Sequence, residues 1–317
     1  MLDRSTIWPY ENGEPGEFYY QRYAHPAGVE AERALGELEG GQALLFPSGS
    51  GAITALLLAL LEPGKTVALT QDAYYGTPVL MKMLERWGLR MVEFDQTGAP
   101  PEGADLVWVE APSNPLLTMP DLEAAAAHQA SLVVDSTAAT PIYLRPLERG
   151  ADFVLHSATK FLGGHHDVLL GAVVCKERED YDRLLEFRTR SGIVAAPDPA
   201  WLLLRSLKTL RVRMEAITAN AKEIARRAEA HPKVERVRYP GFGGLMSFDV
   251  AGGAEAARRL ETSTTLIKNA TSLGGVQSVL ETRARWEGDR VPENLVRLSV
   301  GLEEVEQLWA DLEQALF

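Results

Sequence analysis

The stretch "ALLFPSGSGAITALLLALL", residues 43–61, decides the fold of the chain. A short apolar run ends at a proline, small residues follow, and a longer run with helical periodicity then begins. Further along, the apolar runs "TVALT", "RMVEFD", "LVWVEA", "SLVVD", "DFVLH" and "VLLGAVV" are separated in several places by helical patterns. Because such Val/Leu runs are typical of strands buried on both faces, we predict an α/β fold with a mostly parallel seven-stranded sheet flanked by helices.

The length of 317 residues exceeds the roughly 250 residues at which single cores stop growing, so we predict more than one domain. Residues 1–25 are rich in aromatic side chains among Gly and Pro, and we expect them to form an arm that packs on another protein surface. Residues 26–196 carry the alternating strands and helices of a large domain. Residues 197–317 begin with a long helical stretch followed by short strands, which predicts a smaller C-terminal α+β domain.

Composition excludes several classes of function. The formal net charge is −12, and no block of five Lys or Arg residues interrupts it, so nucleic acid is not an expected partner. No apolar run approaches the ~20 residues that span a bilayer, and the N-terminal residues lack a secretory pattern, so we expect a cytoplasmic protein without membrane contact. The single cysteine, Cys175, lies in an apolar strand pattern and is expected to be a buried thiol. His165 and His166 are adjacent and lack the spacing of metal ligands, so no metal site is predicted.

Small residues at the first strand end suggest an anion site. In open α/β sheets ligands bind beyond the carboxyl ends of the strands. Gly49 and Ser50 lie there at the start of a helix, where backbone N–H groups and the helix dipole favour a phosphate. A plain capped helix start remains the alternative. Thr54 stands where a dinucleotide-binding fingerprint needs its third glycine, and no P-loop lysine is present.

Three further strand ends carry polar or aromatic residues. Tyr75 in "QDAYYGT" could stack on a planar ligand or pack in the core. Asn114, between two prolines in "VEAPSNPL", could orient a ligand or complete a turn. Asp135 ends the apolar strand "SLVVD", where a buried carboxylate needs a cationic partner, although capping of a helix is an alternative.

The stretch "FVLHSATKFLGGHH", residues 153–166, adds the most reactive group. Ser157 and Thr159 offer hydroxyl donors for an anion. Lys160 follows a buried strand, where desolvation would lower its pKa and provide a free amine as a nucleophile. An anion cradle, an aromatic ring, a carboxylate for a ring nitrogen and a lysine for an aldehyde are together what a pyridoxal phosphate (PLP) site requires.

An ordered set of motifs resembles one family across nearly the whole chain. The motifs are "YYQRYAHP", "PSGSGAI", "YYGT", "APSNPL", "VVDSTAATP", "HSATKFLGGHHDVLLG", "SLGGVQS" and "VRLSVG". They resemble the Cys/Met metabolism PLP enzymes, which include cystathionine γ-synthase, cystathionine γ-lyase, cystathionine β-lyase and methionine γ-lyase. The resemblance implies PLP-dependent transferase fold type I and pyridoxal 5'-phosphate as the cofactor.

The resemblance also assigns roles to residues. Lys160 would hold the cofactor aldehyde covalently and then act as the general base, with Asp135 at the pyridine nitrogen and Tyr75 stacked on the ring. The other cofactor-binding residues implied are Gly49, Ser50, Asn114, Thr137, Ser157 and Thr159, together with Tyr20 and Arg22 from a neighbouring subunit. Arg297 would bind the substrate α-carboxylate, with Ser272 and Asn114 orienting the substrate. A homodimer or homotetramer with shared active sites is therefore expected.

The implied activity is γ-elimination or γ-replacement on a sulfur-containing amino acid, as in cystathionine γ-lyase or γ-synthase. The alternatives are a β-lyase acting on cystathionine or cysteine, and a non-catalytic regulatory protein that binds PLP. Thr271 precedes "SLGG" where the synthases and γ-lyases have Glu and the β-lyases Tyr, so this position favours neither reaction.

Overall fold

The computed structural model describes residues 2–317. The helices are α1 (Pro26–Glu39), α2 (Gly49–Leu60), α3 (Gly76–Leu84), α4 (Leu122–Ala126), α5 (Thr140–Tyr143), α6 (Arg178–Ser191), α7 (Pro197–Leu207), α8 (Leu210–Glu229), α9 (Gly253–Ser263), α10 (Ala284–Glu287) and α11 (Val305–Leu316). The strands are β1 (Gln42–Phe46), β2 (Thr66–Thr70), β3 (Arg90–Phe94), β4 (Leu106–Glu110), β5 (Ser131–Asp135), β6 (Phe153–His156), β7 (Gly171–Cys175), β8 (Val234–Arg238), β9 (Leu245–Val250), β10 (Lys268–Asn269), β11 (Val279–Thr282) and β12 (Leu295–Ser299).

The first seven strands form one sheet in the order β1-β7-β6-β5-β4-β2-β3. Only β7 runs antiparallel, pairing with β1 on one side and β6 on the other. One apolar cluster covers the face that packs on α1 and α7, and a second covers the face that packs on α2 and α6. The predicted α/β class with a mostly parallel seven-stranded sheet is confirmed.

The last five strands form a smaller sheet in the order β10-β11-β12-β9-β8. Its core includes side chains from the second half of α8, from α9 and from α11. The first half of α8 and all of α7 instead contribute to the core of the large sheet. The two cores therefore meet within α8, and the predicted domain boundary near residue 197 stays a prediction.

The start of α2 shows why the glycine-rich stretch becomes a helix entrance. The Ser48 hydroxyl caps the helix by accepting the N–H of Gly51 at 2.9 Å, which satisfies one of the free donors of the first turn. Gly171, on the neighbouring β7, lies so close that a Cβ there would sit 2.1 Å from the carbonyl oxygen of Ser48. The hydrogen bond therefore closes the first turn of α2, and the close backbone contact places this turn against β7.

The long helical stretch after residue 197 is divided into two helices. The carbonyl of Ser206 accepts the N–H and hydroxyl of Thr209 and the guanidinium of Arg213, so the regular pattern is interrupted between α7 and α8. Side-chain competition for a backbone acceptor of this kind leaves no signature in the apolar periodicity.

Residues 2–317 contain neither a membrane-spanning helix nor a cluster of metal ligands. No described helix has the length and apolarity needed to cross a bilayer. Within the same residues, no group of three His, Cys, Asp or Glu side chains is arranged to hold a metal ion. Cys175 is a free, buried thiol, and burial raises its pKa to about 12.

Candidate active site

A cavity of about 320 Å³ lies beyond the carboxyl ends of the parallel strands, between the large sheet and the smaller domain. Loops after β1, β2, β4, β5 and β6 line one side, and segments near β9, β11 and β12 line the other. Eleven residues selected from the sequence reach it: Gly49, Ser50, Tyr75, Asn114, Asp135, Thr137, Ser157, Thr159, Lys160, Ser272 and Arg297.

Lys160 extends into this cavity from the turn after β6. Its Nζ donates to the Ser272 hydroxyl at 2.9 Å, which joins the two domains across the site. Burial lowers the pKa of Lys160 to about 8, and the positive charge of Arg297 acts in the same direction. The lowered pKa favours the neutral amine, which is the form able to act as a nucleophile or base.

Asp135 lies at the end of β5, with 8% of its surface exposed. One carboxylate oxygen accepts the backbone N–H of Thr137 at 3.0 Å and its hydroxyl at 2.6 Å. Burial raises the pKa of Asp135, and these two hydrogen bonds oppose that rise. Among residues 2–317 no cation forms an ion pair with this carboxylate, and the ring of the nearby His156 is hydrogen-bonded to Glu39. The cationic partner predicted from the sequence is therefore not found among these ion pairs, and the carboxylate is available to a cationic group of a ligand.

The anion cradle is built from two strand ends. The N-terminus of α2 supplies free backbone N–H groups, and the turn after β6 supplies Ser157 and Thr159. The Ser157 N–H is held by the hydroxyl of Thr137 at 2.8 Å. A Cβ at Gly49 would lie only 3.1 Å from Ser157, so glycine keeps the entrance open. The cradle therefore combines fixed donors with room for a phosphate group.

Two adjacent tyrosines reach the cavity, although only Tyr75 was selected from the sequence. The ring of Tyr75 lies 4.7 Å from that of Tyr74 and stacks on Trp286 at 6.2 Å with an interplanar angle of 21°. Burial raises the pKa of Tyr74 to about 12. Because both rings line the cavity, the aromatic role predicted for Tyr75 stays a prediction, and Tyr74 is a second candidate.

Arg297 is part of a buried ionic cluster. It donates to Asn114 Oδ1 and to the carbonyl of Ser272, both at 2.9 Å, and it also pairs with Glu281. Burial lowers its pKa to about 10. Arg283 completes the cluster, since it donates to Glu281 at 2.7 Å and to Glu287 at 2.6 Å.

The sequence did not identify several residues of the cavity. Glu110 is the final residue of β4 and resembles an ordinary strand residue in the sequence, although its place directly before "APSNPL" was an available signal. Arg283 comes from a distant loop in the smaller domain, and no local pattern identifies it. Leu169 and Leu245 also line the cavity, and their apolar sequence context does not distinguish them from core residues.

Two sequence-selected residues lie outside the cavity of their own chain. The Arg22 guanidinium donates to the carbonyl of Thr189 at 2.7 Å and lies 5.2 Å and 4.8 Å from the ring centres of Tyr20 and Tyr23. The predicted contact of Tyr20 and Arg22 with the site of a neighbouring subunit stays a prediction.

The residues present fit pyridoxal 5'-phosphate. The buried carboxylate of Asp135 forms no ion pair within residues 2–317, the cradle offers donors without a bulky side chain, and the Lys160 amine has a lowered pKa in the same cavity. Carboxylate, cradle and amine match the three polar features of the cofactor, which are its ring nitrogen, phosphate and aldehyde.

Comparison with known proteins agrees with this fit. The family model described as "Cys/Met metabolism PLP-dependent enzyme" matches residues 3–317. A putative cystathionine γ-lyase of Streptomyces coelicolor is 38% identical, with 96% of this chain and 85% of the relative covered. A cystathionine γ-synthase of Mycobacterium tuberculosis is 39% identical, with 96% and 87% covered. The crystal structure of cystathionine γ-synthase from Xanthomonas oryzae pv. oryzae with aminoacrylate and cysteine has a TM-score of 0.95 and 33% identity, and the match covers 100% of this chain and 92% of that one.

Proposed function

The chain belongs to the Cys/Met metabolism PLP-dependent enzyme family, and on this premise we propose that it eliminates or replaces the γ-substituent of a sulfur-containing amino acid. It is a PLP-dependent enzyme of the trans-sulfuration type. The observation that carries the proposal is that Lys160 and Asp135, on neighbouring strand ends, line the same cavity. A single pyridine ring can then face both side chains.

The cofactor would be held by groups already described. Lys160 would bond its aldehyde, Asp135 would face its ring nitrogen, and Tyr75 or Tyr74 would cover its ring. The residues proposed at the phosphate are Gly49, Ser50, Ser157 and Thr159, with Thr137 and Asn114 also placed at the cofactor. When bound, the cofactor withdraws electrons from the substrate Cα and so acidifies the neighbouring protons.

The protein side chains then bind the substrate and move its protons. Arg297 would bind the substrate carboxylate through its planar guanidinium, which Asn114 and Ser272 hold in place and which Glu281 shares in this structure. Lys160 is the only lysine that lines the cavity among residues 2–317, and its amine would remove the proton from Cα. The same amine would then remove a proton from Cβ, because a γ-substituent can leave only after Cβ has also been deprotonated.

The test is to add amino acids to the purified protein and follow both the visible absorbance of the bound cofactor and the released 2-oxo acid. In a γ-elimination, cystathionine should be consumed and 2-oxobutanoate released. In a γ-replacement, cystathionine should instead be produced from cysteine and an O-acylhomoserine. Pyruvate from cystathionine would instead identify the β-lyase reaction. A change in absorbance without any turnover would contradict catalysis and identify a PLP-binding regulatory protein.

We further propose a homodimer or homotetramer with shared sites. The cradle contains hydroxyl and backbone donors. Three cations line the cavity among the described residues, and each has a partner on the side of the smaller domain. Lys160 contacts Ser272, Arg283 pairs with Glu281 and Glu287, and Arg297 pairs with Glu281. Arg22 of a second copy would supply the missing charge at the phosphate. A cytoplasmic location stays a prediction from the sequence.

A further inference from the structure

Glu110 and Asp135 form a pair of carboxyl groups beneath the cofactor cavity. They are the last residues of β4 and β5 and lie opposite each other in the register of the two parallel strands. Register partners point to the same face of a sheet, and neighbouring strands are about 4.8 Å apart. Both side chains line the cavity, with 6% and 8% of their surfaces exposed.

Two carboxylates this close and this buried do not both ionise, because like charges in a poorly solvated place repel strongly. Asp135 receives two hydrogen bonds from Thr137, and both stabilise its charged form. The Glu110 carboxyl accepts one hydrogen bond, from the backbone N–H of Tyr74 to Oε2 at 2.7 Å. Among residues 2–317 nothing donates to its Oε1, so this oxygen is free to carry a proton.

The surroundings of Glu110 also favour its neutral form. Three acidic groups act on it: Asp135 on β5, Asp72 in the loop after β2, and Glu287 on α10. Arg283 lies nearby, but its terminal nitrogens pair with Glu281 and Glu287. Burial, followed by the charge of Asp135, raises the pKa of Glu110 well above its ordinary value.

We propose that Glu110 is a neutral carboxylic acid in the working enzyme and a positioning residue that keeps the negative charge of the pair on Asp135. Its acceptor oxygen also fixes the backbone of Tyr74 at the edge of the cavity. The inference rests on the proposed function, because it assumes that Asp135 faces the cofactor nitrogen.

The Glu110→Gln and Glu110→Ala variants test this role. Gln keeps the shape and the acceptor of a neutral acid, so the absorbance of the bound cofactor should keep its pH dependence, and the cofactor dissociation constant should stay within about twofold. Ala removes the acceptor for the Tyr74 N–H, and cofactor affinity should fall by about tenfold. An infrared band of a protonated carboxyl group should be present in the wild type and absent from Glu110→Gln, which reports the proton directly and needs no activity.

Asp135→Asn separates failure of this inference from failure of the proposed function. If Glu110 is ionised, Glu110→Gln will shift the pH midpoint of the cofactor absorbance by about one unit, and the infrared difference band will be missing. These results overturn the inference, and the proposed function is unaffected if Asp135→Asn still alters the spectrum. If Asp135→Asn leaves the spectrum and its pH dependence unchanged, the cofactor placement is wrong and both proposals fall. Thermal unfolding of each variant identifies misfolded protein, and the Gln variant alone decides the outcome if the Ala variant does not fold.

Discussion

At the level of single residues, Lys160 gives the clearest pH dependence. Its pKa falls from 10.5 to about 8 because burial disfavours the ammonium form. Only the neutral amine attacks an aldehyde, so the rate of cofactor capture by the apoprotein should rise about tenfold per pH unit below this pKa and level off above it. Stopped-flow absorbance measures the rate. The reaction of the cofactor with Nα-acetyl-lysine over the same pH range is the reference that accounts for ionisation of the cofactor itself. A midpoint near 10.5 would contradict the effect of burial.

Lys160→Ala should show no covalent capture and no turnover.

A second residue-scale prediction concerns the substrate carboxylate. Arg297→Lys keeps the positive charge but loses the planar fork, so KM should rise by about 10-fold to 100-fold, since a hydrogen bond to a charged group contributes about 1.5–3 kcal/mol. Steady-state kinetics should show a smaller change in kcat. Arg238→Lys is the matched control, because Arg238 forms a partly buried fork with Asp249 but does not line the cavity. An unchanged KM in Arg297→Lys would place the carboxylate elsewhere.

The sequence identified the residues at strand ends because the chemistry of each one conflicts with its apolar setting. Asp135 follows "SLVV" and Lys160 lies just after "FVLH". A charged group at the end of a buried strand is costly unless it has a partner or a function, so both residues could be identified from the sequence. Tyr74 and Tyr75 are adjacent and alike, so composition cannot assign one of them to the ring. Arg283 reaches the cavity only because the smaller domain folds over the large sheet, and local pattern carries no information about such a distant approach.

At the level of elements, we expect the cradle to depend on the contact between β7 and the entrance of α2. Gly171→Ala would place a methyl group 2.1 Å from the Ser48 carbonyl oxygen, so the entrance must move. We expect the free energy of unfolding to fall by about 1–3 kcal/mol and cofactor affinity to weaken as well. Denaturant titration and cofactor binding measure the two effects. Gly98→Ala is the control, since its nearest neighbouring atom would be 3.9 Å away. Unchanged cofactor affinity in Gly171→Ala would show that the cradle does not depend on this contact.

Elements with strong periodicity could be predicted, and short or interrupted ones could not. The pattern at residues 121–130 favours a helix of ten residues, but α4 spans only Leu122–Ala126. The side chain of His128 accepts the N–H of Ala130, and this local bond ends the helical pattern. Similar competition at Ser206 divides α7 from α8. The order of strands in the sheet likewise depends on pairing between distant segments, which propensity does not encode.

At the level of the whole molecule, the N-terminal arm is expected to complete the site of a second copy. At limiting cofactor, Arg22→Ala and Lys160→Ala should each inactivate the site to which the altered residue contributes. In a mixed dimer one site receives both altered residues, and the other site receives none. If chains mix at random, half of the dimers are mixed and half of their sites are intact, so co-expression should restore about a quarter of wild-type activity.

The matched control pairs Lys160→Ala with Asp135→Asn. These two residues line one cavity in a single chain, so a mixed dimer of these variants has a defect in both of its sites and should show no recovery. Activity at limiting cofactor is the measurement, because loss of Arg22 weakens binding of the phosphate and excess cofactor would hide the defect. If Arg22→Ala with Lys160→Ala recovers no more activity than the control pair, then Arg22 acts within its own chain. Its contacts with Thr189 and Tyr23 would then account for it as a structural residue of the arm.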